Sequence, residues 1–218
     1  MRPASTRQLI ASAAIFAAML LGQFAAAAGR AGDFDYYVLA LSWNASWCAT
    51  EGDARHSRLC DAGSRIGFTL HGLWPQYEHG YPEYCRTSHR DPSRAETRRE
   101  GDLFRSQGLA WYQWKKHGRC SGLSAEAYFE AARRAWKAIR RPEVLRQVAR
   151  PVEVNPRVIE AAFIEANPGL APDGITVTCS GRRIHEVRIC LTRDLAPRAC
   201  GPDVSRDCRG PATLPPMR

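Results

Sequence analysis

The chain has 218 residues, with 31 Lys and Arg against 22 Asp and Glu, and a formal net charge of +9. Such an excess favours a polyanionic partner, although charge alone does not identify one. The length suits one domain with a sizeable core and argues against a second, and beyond the N-terminal region no segment is apolar enough to cross a membrane.

The N-terminal segment has the order of a secretory signal peptide. Two arginines precede the apolar run from Leu9 to Leu21, and small residues through Ala28 supply an A-x-A cleavage pattern. A membrane anchor is the alternative, but Gly22 interrupts the run before the roughly 18 residues that a bilayer requires. We therefore predict a signal peptide over residues 1–28 and one exported domain over residues 29–218.

The exported part begins with two strand candidates. Phe34 to Trp43 is an aromatic and aliphatic run without a breaker, and Ile66 to Leu73 is a second candidate. Between Gln76 and Arg105 the chain is polar and rich in turn-forming residues. We predict a long surface excursion there.

Two helices are predicted in the middle of the chain. Ser124 caps the first, which runs through about Arg140 and stops before Pro142. Asn155 followed by Pro156 places a capping residue before the position where proline suits a helix start. The predicted buried stripe of this second helix consists of Val158, Ala162, Phe163 and Ala166.

The last strand candidates form a predicted hairpin. Ile175 to Cys179 and Ile184 to Leu191 are joined by a short turn that contains Gly181. The proline-rich tail after Cys208 is predicted to be loose. Strands separated by helices, with a late hairpin, favour an α+β domain, although periodicity alone does not distinguish it from an α/β sheet.

Eight cysteines follow the predicted signal peptide, and an even number behind an export signal predicts four disulfides. Zinc binding is the alternative use, but no pair has C-x-x-C spacing and no histidine pair has ligand spacing. We expect neither a metal nor another cofactor. Spacing alone leaves about a hundred possible pairings open. The cysteines are Cys48, Cys60, Cys85, Cys120, Cys179, Cys190, Cys200 and Cys208.

Two segments carry the candidate catalytic residues. The first is His71 to Pro75, with the sequence HGLWP, where we expect a turn at the glycine and proline to hold the imidazole at the rim of the sheet. The second is Trp111 to Cys120, with the sequence WYQWKKHGRC, in which the glycine stops a helix and leaves Lys116 and His117 on its last turn. The other histidines, taken singly, are expected to be structural. They are His56, His79, His89 and His185.

Two histidines suit the cleavage of RNA. The ribose 2′-hydroxyl is a poor nucleophile unless a base takes its proton, and the leaving 5′-oxygen must receive one. Imidazole titrates near neutral pH, so one ring can start neutral as the base and the other protonated as the acid. A fixed cation such as Lys116 would stabilise the charge that builds on the phosphate.

Both segments closely resemble the two active-site segments of the ribonuclease T2 family. HGLWP matches the first in full, and Lys116-His117-Gly118 with Cys120 matches the end of the second. The first strand and the late hairpin are also similar, so the resemblance covers most of the exported chain. It implies an α+β fold, with a central, mainly antiparallel sheet flanked by helices and stapled by disulfides. The alanine-rich export signal suits a bacterial member.

The resemblance implies an endoribonuclease in which His117 is the general base and His71 the general acid. Their roles reverse when the 2′,3′-cyclic phosphate is hydrolysed to a 3′-phosphate end. Lys116 would stabilise the pentacoordinate phosphate, and Trp74 would hold the base or ribose beside His71. The implied disulfides are Cys48 with Cys60, Cys85 with Cys120, Cys179 with Cys208, and Cys190 with Cys200.

Three positions depart from the family pattern. Tyr112 stands where the family has a histidine, and it can still donate a hydrogen bond to a phosphate oxygen. Gln113 replaces a glutamate, which removes a negative charge and a proton shuttle. Gln76 stands where many members have an aspartate that helps to read the base, so the base preference is not transferred.

Gln113 has a consequence for the neighbouring histidine. Without a nearby carboxylate, and with Lys116 and Arg119 close in sequence, His117 should lose its proton more readily. The enzyme is expected to stay active with an altered rate or pH profile.

Single-stranded RNA is the expected partner, with Trp74 and Tyr77 as candidate stacking faces. DNA lacks the internal nucleophile. The first alternative is a catalytically weakened member of the same fold that binds RNA or another partner. A more distant one is an extracellular binding protein unrelated to RNA. We expect a monomer with no membrane anchor after signal cleavage, in the periplasm or outside the cell.

Overall fold

The structure is a computed structural model that describes residues 29–218. The segment predicted to be a signal peptide, residues 1–28, lies outside the described residues, so that boundary stays a prediction. Within the described part, no helix combines the length and the apolar character needed to span a membrane.

Six strands form one sheet in the order β2-β1-β5-β6-β3, and β4 also pairs with β5. All pairings are antiparallel except a single parallel pair between β5 and β6. The predicted α+β class with a mainly antiparallel sheet is therefore confirmed. The strands are β1 (Tyr36–Trp43), β2 (Phe68–Gln76), β3 (Val152–Val154), β4 (Ile175–Ser180), β5 (Arg183–Leu191) and β6 (Ala212–Leu214).

The helices flank this sheet and bury their apolar sides against it, as Tyr128 does when its hydroxyl donates to the Leu73 carbonyl over 2.9 Å. Among residues 29–218 the α-helices are α1 (Asn44–Trp47), α2 (Arg94–Arg99), α3 (Gly101–Phe104), α4 (Gln107–Lys116), α5 (Ala125–Ala138) and α6 (Pro156–Ala166). Short 3₁₀ turns lie at Arg58–Cys60, Gly118–Ser121, Glu143–Gln147 and Pro172–Gly174, and a π-helical turn at Cys48–Gly52.

The two predicted helix starts are confirmed by their caps. Ser124 accepts a hydrogen bond from the backbone of Ala127, and Asn155 accepts one from Arg157. The predicted stripe of α6 was wrong at Val158, which is 59% exposed. Phe163 is buried as predicted, and Ile159 takes the place of Val158 as the buried aliphatic residue of the first turn.

Two other predictions need correction. The excursion between Gln76 and Arg105 contains α2 and α3, and the start of α2 is a capping box formed by Ser93 and Glu96. The tail is not loose, because β6 pairs with β3 and the Pro215 carbonyl accepts a hydrogen bond from the Trp43 indole over 2.9 Å. Long-range pairing, invisible in the local composition, orders this segment.

Four disulfides join cysteines that are 10 to 35 residues apart in sequence, and they form the pairs that the family resemblance implies. The pairs are Cys48 with Cys60, Cys85 with Cys120, Cys179 with Cys208, and Cys190 with Cys200. Cys85–Cys120 joins the loop after β2 to the turn after α4.

One buried carboxyl on α6 makes the stability of the fold depend on pH. Burial and the neighbouring Asp207 raise the pKa of Glu160 to about 7. The pKa of Glu160 is higher in the folded state than in the unfolded chain, so protonated Glu160 favours folding. This contribution to stability is fully present below about pH 4.5 and is lost as the pH rises through about 7.

We expect Glu160→Gln to raise the free energy of unfolding by about 1–3 kcal/mol above pH 7, because the amide has no charge to desolvate. Below about pH 4.5 the variant and the wild type should be equally stable. Denaturant unfolding at both pH values measures this, with Glu165→Gln, an exposed position on α6, as the control. A pH-independent difference would contradict the prediction.

Candidate active site

His71 lies within β2 and occupies a β-bulge. β1 pairs Ala40 with Gly72 and Leu41 with Leu70, so His71 is the extra residue. A bulge interrupts the strand alternation and redirects a side chain. The turn expected after His71 was wrong, because β2 continues through Pro75 to its end at Gln76. Pro75 has no backbone N–H to donate. It is tolerated here because β2 is an edge strand of the sheet.

The His71 ring is held by a carboxylate from β5. Its Nδ1 donates a hydrogen bond to Oε1 of Glu186, which is 1% exposed. Ser42, directly opposite Glu186 in the β1–β5 register, donates to the same oxygen over 3.3 Å. The guanidinium of Arg188 donates to Oε2 over 2.9 and 3.1 Å. Both carboxylate oxygens are therefore satisfied without water.

Glu186 is ionised in this setting. Burial acts to raise its pKa, but the hydrogen bond and charge of His71 and the charges of Arg188 and His185 outweigh burial and lower the pKa to about 2. A fixed carboxylate on Nδ1 sets the ring orientation, leaves Nε2 free, and stabilises positive charge that develops on the ring.

His117 caps the C-terminus of α4, as the sequence predicted for this helix end. The chain turns sharply at Gly118, where a Cβ atom would lie 2.6 Å from the Trp114 ring and 2.8 Å from Tyr128. No larger residue fits this close approach. The turn packs the imidazole of His117 inward, and only 6% of the residue is exposed.

The environment of His117 favours its neutral form. Burial, then the nearby charges of Lys116 and His71, lower its pKa to about 3. Loss of the proton was the expected direction, but burial is the main cause. Arg119 does not contribute as expected, because Asp91 binds its guanidinium at 2.6 Å. Nδ1 of His117 is buried without a partner, and neither ring nitrogen forms a hydrogen bond within the described chain.

Trp74 lies between the two histidines. Its ring centroid is 5.1 Å from that of His71 and 5.2 Å from that of His117, on which it stacks. The indole nitrogen donates to Oε1 of Gln113 over 2.8 Å. A Cβ atom on Gly72 would lie 2.1 Å from that oxygen, so the glycine is required for this arrangement.

Lys116 and Tyr112 lie on the exposed side of the same helix end. Lys116 is 3.4 Å from the carboxylate of Glu83. Burial opposes its charge, but Tyr112 and Glu83 raise the pKa of Lys116 above its usual value. Tyr112 is 44% exposed. Lys116 is therefore a permanent cation at neutral pH.

A groove of about 960 Å³ opens beside His71 and is called the His71 groove here. Tyr112 and His185 line it, and Phe104 and Leu109 give it an apolar wall. His185, expected to be structural, occupies a second bulge, where Thr178 pairs with Glu186 and Cys179 with Ile184.

Two sequence candidates lie elsewhere. Gln76 is 5% exposed, and its amide donates to the Pro75 carbonyl over 3.1 Å. Tyr77 packs against the core and does not line the His71 groove. Among residues 29–218, no group of three or more His, Cys, Asp or Glu side chains is arranged to hold a metal ion.

Glu186 and Arg188 are the residues that sequence reasoning missed. A signal was present, because Glu186 immediately precedes apolar Val187 in a strand that pairs on both sides. Buried charges in such strands are rare unless they are paired. Their partner, His71, is 115 residues away in sequence, so no local pattern names it.

The fold is a disulfide-bonded α+β domain in which two histidines lie on either side of a tryptophan ring. The chain belongs to the ribonuclease T2 family, whose model matches residues 34–200. The ribonuclease of Aeromonas hydrophila is 34% identical over 172 residues, which cover 77% of this chain and 76% of that one.

Solved structures have the same fold. The RNase-related protein from Calystegia sepium has a TM-score of 0.65 at 23% identity and covers 85% of this chain and 98% of its own. RNase NT in complex with 5′-AMP has a TM-score of 0.61 at 25% identity and covers 84% and 99%.

We expect Glu186→Gln to lower the kcat of RNA cleavage by about 10–100-fold with little change in KM, because the amide orients His71 without stabilising its charge. Steady-state kinetics on single-stranded RNA measure this. Glu153→Gln, an exposed glutamate on β3, is the matched control. A Glu186→Gln variant with wild-type kcat would show that the contact has no role in turnover.

Proposed function

We propose that this chain is an exported endoribonuclease that cleaves single-stranded RNA through the ribose 2′-hydroxyl, without a metal or cofactor. The observation that carries the proposal is the pair of imidazoles beside the Trp74 ring. One is buried with a lowered pKa, and the other is bound to an ionised carboxylate. Opposite environments of two titratable groups are what an acid–base pair requires.

In the proposed reaction, Nε2 of neutral His117 takes the proton of the 2′-hydroxyl, and the 2′-oxygen attacks the adjacent phosphorus. The bond from phosphorus to the 5′-oxygen breaks, and the leaving oxygen receives a proton from Nε2 of His71. The 2′,3′-cyclic phosphate is then hydrolysed by water to a 3′-phosphate, with the two roles exchanged.

The assignment of base and acid follows from the two environments. The low pKa of His117 keeps it neutral and ready to accept a proton. The ionised Glu186 supports a positively charged His71 that donates one. Lys116 would neutralise charge on the non-bridging oxygens, Tyr112 would donate to them, and Trp74 would hold the ribose or base.

A second candidate is a catalytically weakened RNA-binding protein of the same fold, which the amide at Gln113 favours.

The proposed location of the protein is outside the cytoplasm. Four disulfides and the predicted signal peptide support a periplasmic or extracellular location.

Incubation of the purified protein with single-stranded RNA in excess chelator tests the proposal. We expect cleavage to fragments with cyclic or 3′-phosphate ends, and a loss of about 10²- to 10⁴-fold for either His71→Ala or His117→Ala. His79→Ala, exposed and outside the groove, is the control. Intact RNA, or RNA binding that survives with no cleavage by the wild type, would favour the second candidate.

The role of Gln113 predicts a pH effect. Gln113 and His117 are one helical turn apart, so a carboxylate at 113 would lie on the same face and raise the pKa of His117. We expect Gln113→Glu to move the acid limb of kcat/KM to higher pH by about one unit or more. Gln107→Glu, exposed at the start of α4, is the control. Superimposable profiles would remove any role for this position.

A further inference from the structure

A second cavity, of about 500 Å³, lies beside the His71 groove. Its wall contains four arginines and no Asp or Glu side chain, and it is called the arginine cavity here. The arginines are Arg65, Arg105, Arg141 and Arg146. A concave surface with one sign of charge concentrates an oppositely charged ligand.

The arginine cavity adjoins the His71 groove. Arg105 lines both. Strand β2 also runs from one to the other, because Phe68 lines the arginine cavity and His71 lines the groove. Three residues of extended strand span about 10 Å, so the cavity begins a short distance from the catalytic imidazole.

The charges of the cavity are largely uncompensated. Arg65 and Arg105 form no ion pair with any residue that the structure describes, and Arg146 has only an exposed contact of 3.6 Å with Glu143. Arg141 stacks on Trp136 at 4.1 Å and donates to backbone carbonyls. Burial and the charge of Arg146 lower the pKa of Arg141. Three of the four arginines therefore have no carboxylate partner among the described residues, and the fourth, Arg146, has only this weak one.

Two of these arginines have a strained backbone conformation. Arg65 has a φ of 46° and Arg105 a φ of 59°, in the left-handed region that favours glycine. Local strain of this kind persists where the surrounding structure or a function requires it. Long cationic side chains at two such positions, both facing one cavity, suit a binding role.

We propose that the arginine cavity binds phosphates of the same RNA strand that is cleaved at His71, as a distal subsite for the sugar–phosphate backbone. The proposal rests on the proposed function and extends it, because it predicts a preference for long substrates over dinucleotides. Arginine binds phosphate bidentately and does not distinguish one base from another. The subsite therefore increases the affinity for long strands and the efficiency of their cleavage, but it adds no base preference.

The test compares Arg65→Gln/Arg146→Gln with Arg157→Gln/Arg209→Gln. The second pair removes the same charge from exposed arginines outside both cavities. Binding is measured by fluorescence anisotropy with a 2′-O-methyl oligonucleotide of about twelve residues, which has no nucleophile and cannot be cleaved. We expect about tenfold weaker binding of the cavity variant at low salt. The slope of log affinity against log salt should also be smaller by about 0.7 for each phosphate that the variant no longer binds.

Cleavage kinetics on a short and a long substrate show whether the substitutions act at the distal subsite or at the catalytic histidines. The cavity variant should cleave a dinucleotide at the wild-type rate and long RNA with about tenfold lower kcat/KM. Equal losses on both substrates, equal effects of the two double variants, or unchanged binding of the long oligonucleotide would each overturn the proposal. A wild type that binds the oligonucleotide but cleaves neither substrate would overturn the proposed function, and the anisotropy data would still decide the subsite.

Discussion

The contact between the Glu186 carboxylate and the His71 ring is the interaction on which one half of the candidate active site depends. It requires three neighbouring strands, because His71 is on β2, Ser42 on β1 and Glu186 on β5. The bulge in β2 redirects the imidazole, and Arg188 satisfies the second carboxylate oxygen. A charge buried this deeply is tolerated only when it is paired on all sides, so the sheet and the site depend on each other.

The other half of the site is set by the end of α4. Gly118 allows a close turn that buries His117, and Cys85–Cys120 ties this turn to the loop after β2. Trp74 then packs between the two imidazoles, with its indole nitrogen on Gln113. One histidine is consequently desolvated and the other is paired with a carboxylate, the difference on which the proposed base and acid roles rest.

Local sequence signals predicted the parts of the fold that local physics determines. The caps at Ser124 and Asn155, the first strand, which begins at Tyr36 rather than Phe34, and the helix stop at Gly118 all follow from short-range chemistry. The order in the tail was missed because it comes from pairing with distant strands. Motifs identified both histidines, but Glu186 and the two bulges depend on register between strands, which a single sequence does not encode locally.

The central claim is that burial keeps the His117 ring neutral, whereas the His71 ring is held through Nδ1 by the Glu186 carboxylate. Nitrogen NMR of the histidine-labelled wild type at about pH 5 tests it most directly, since ring nitrogen shifts report tautomer and charge. The account predicts a neutral His117 ring at that pH, with a pKa of about 3, and a proton on Nδ1 of His71 shared in a hydrogen bond with Glu186. A doubly protonated His117 at pH 5, or a His71 Nδ1 without that hydrogen bond, would contradict it.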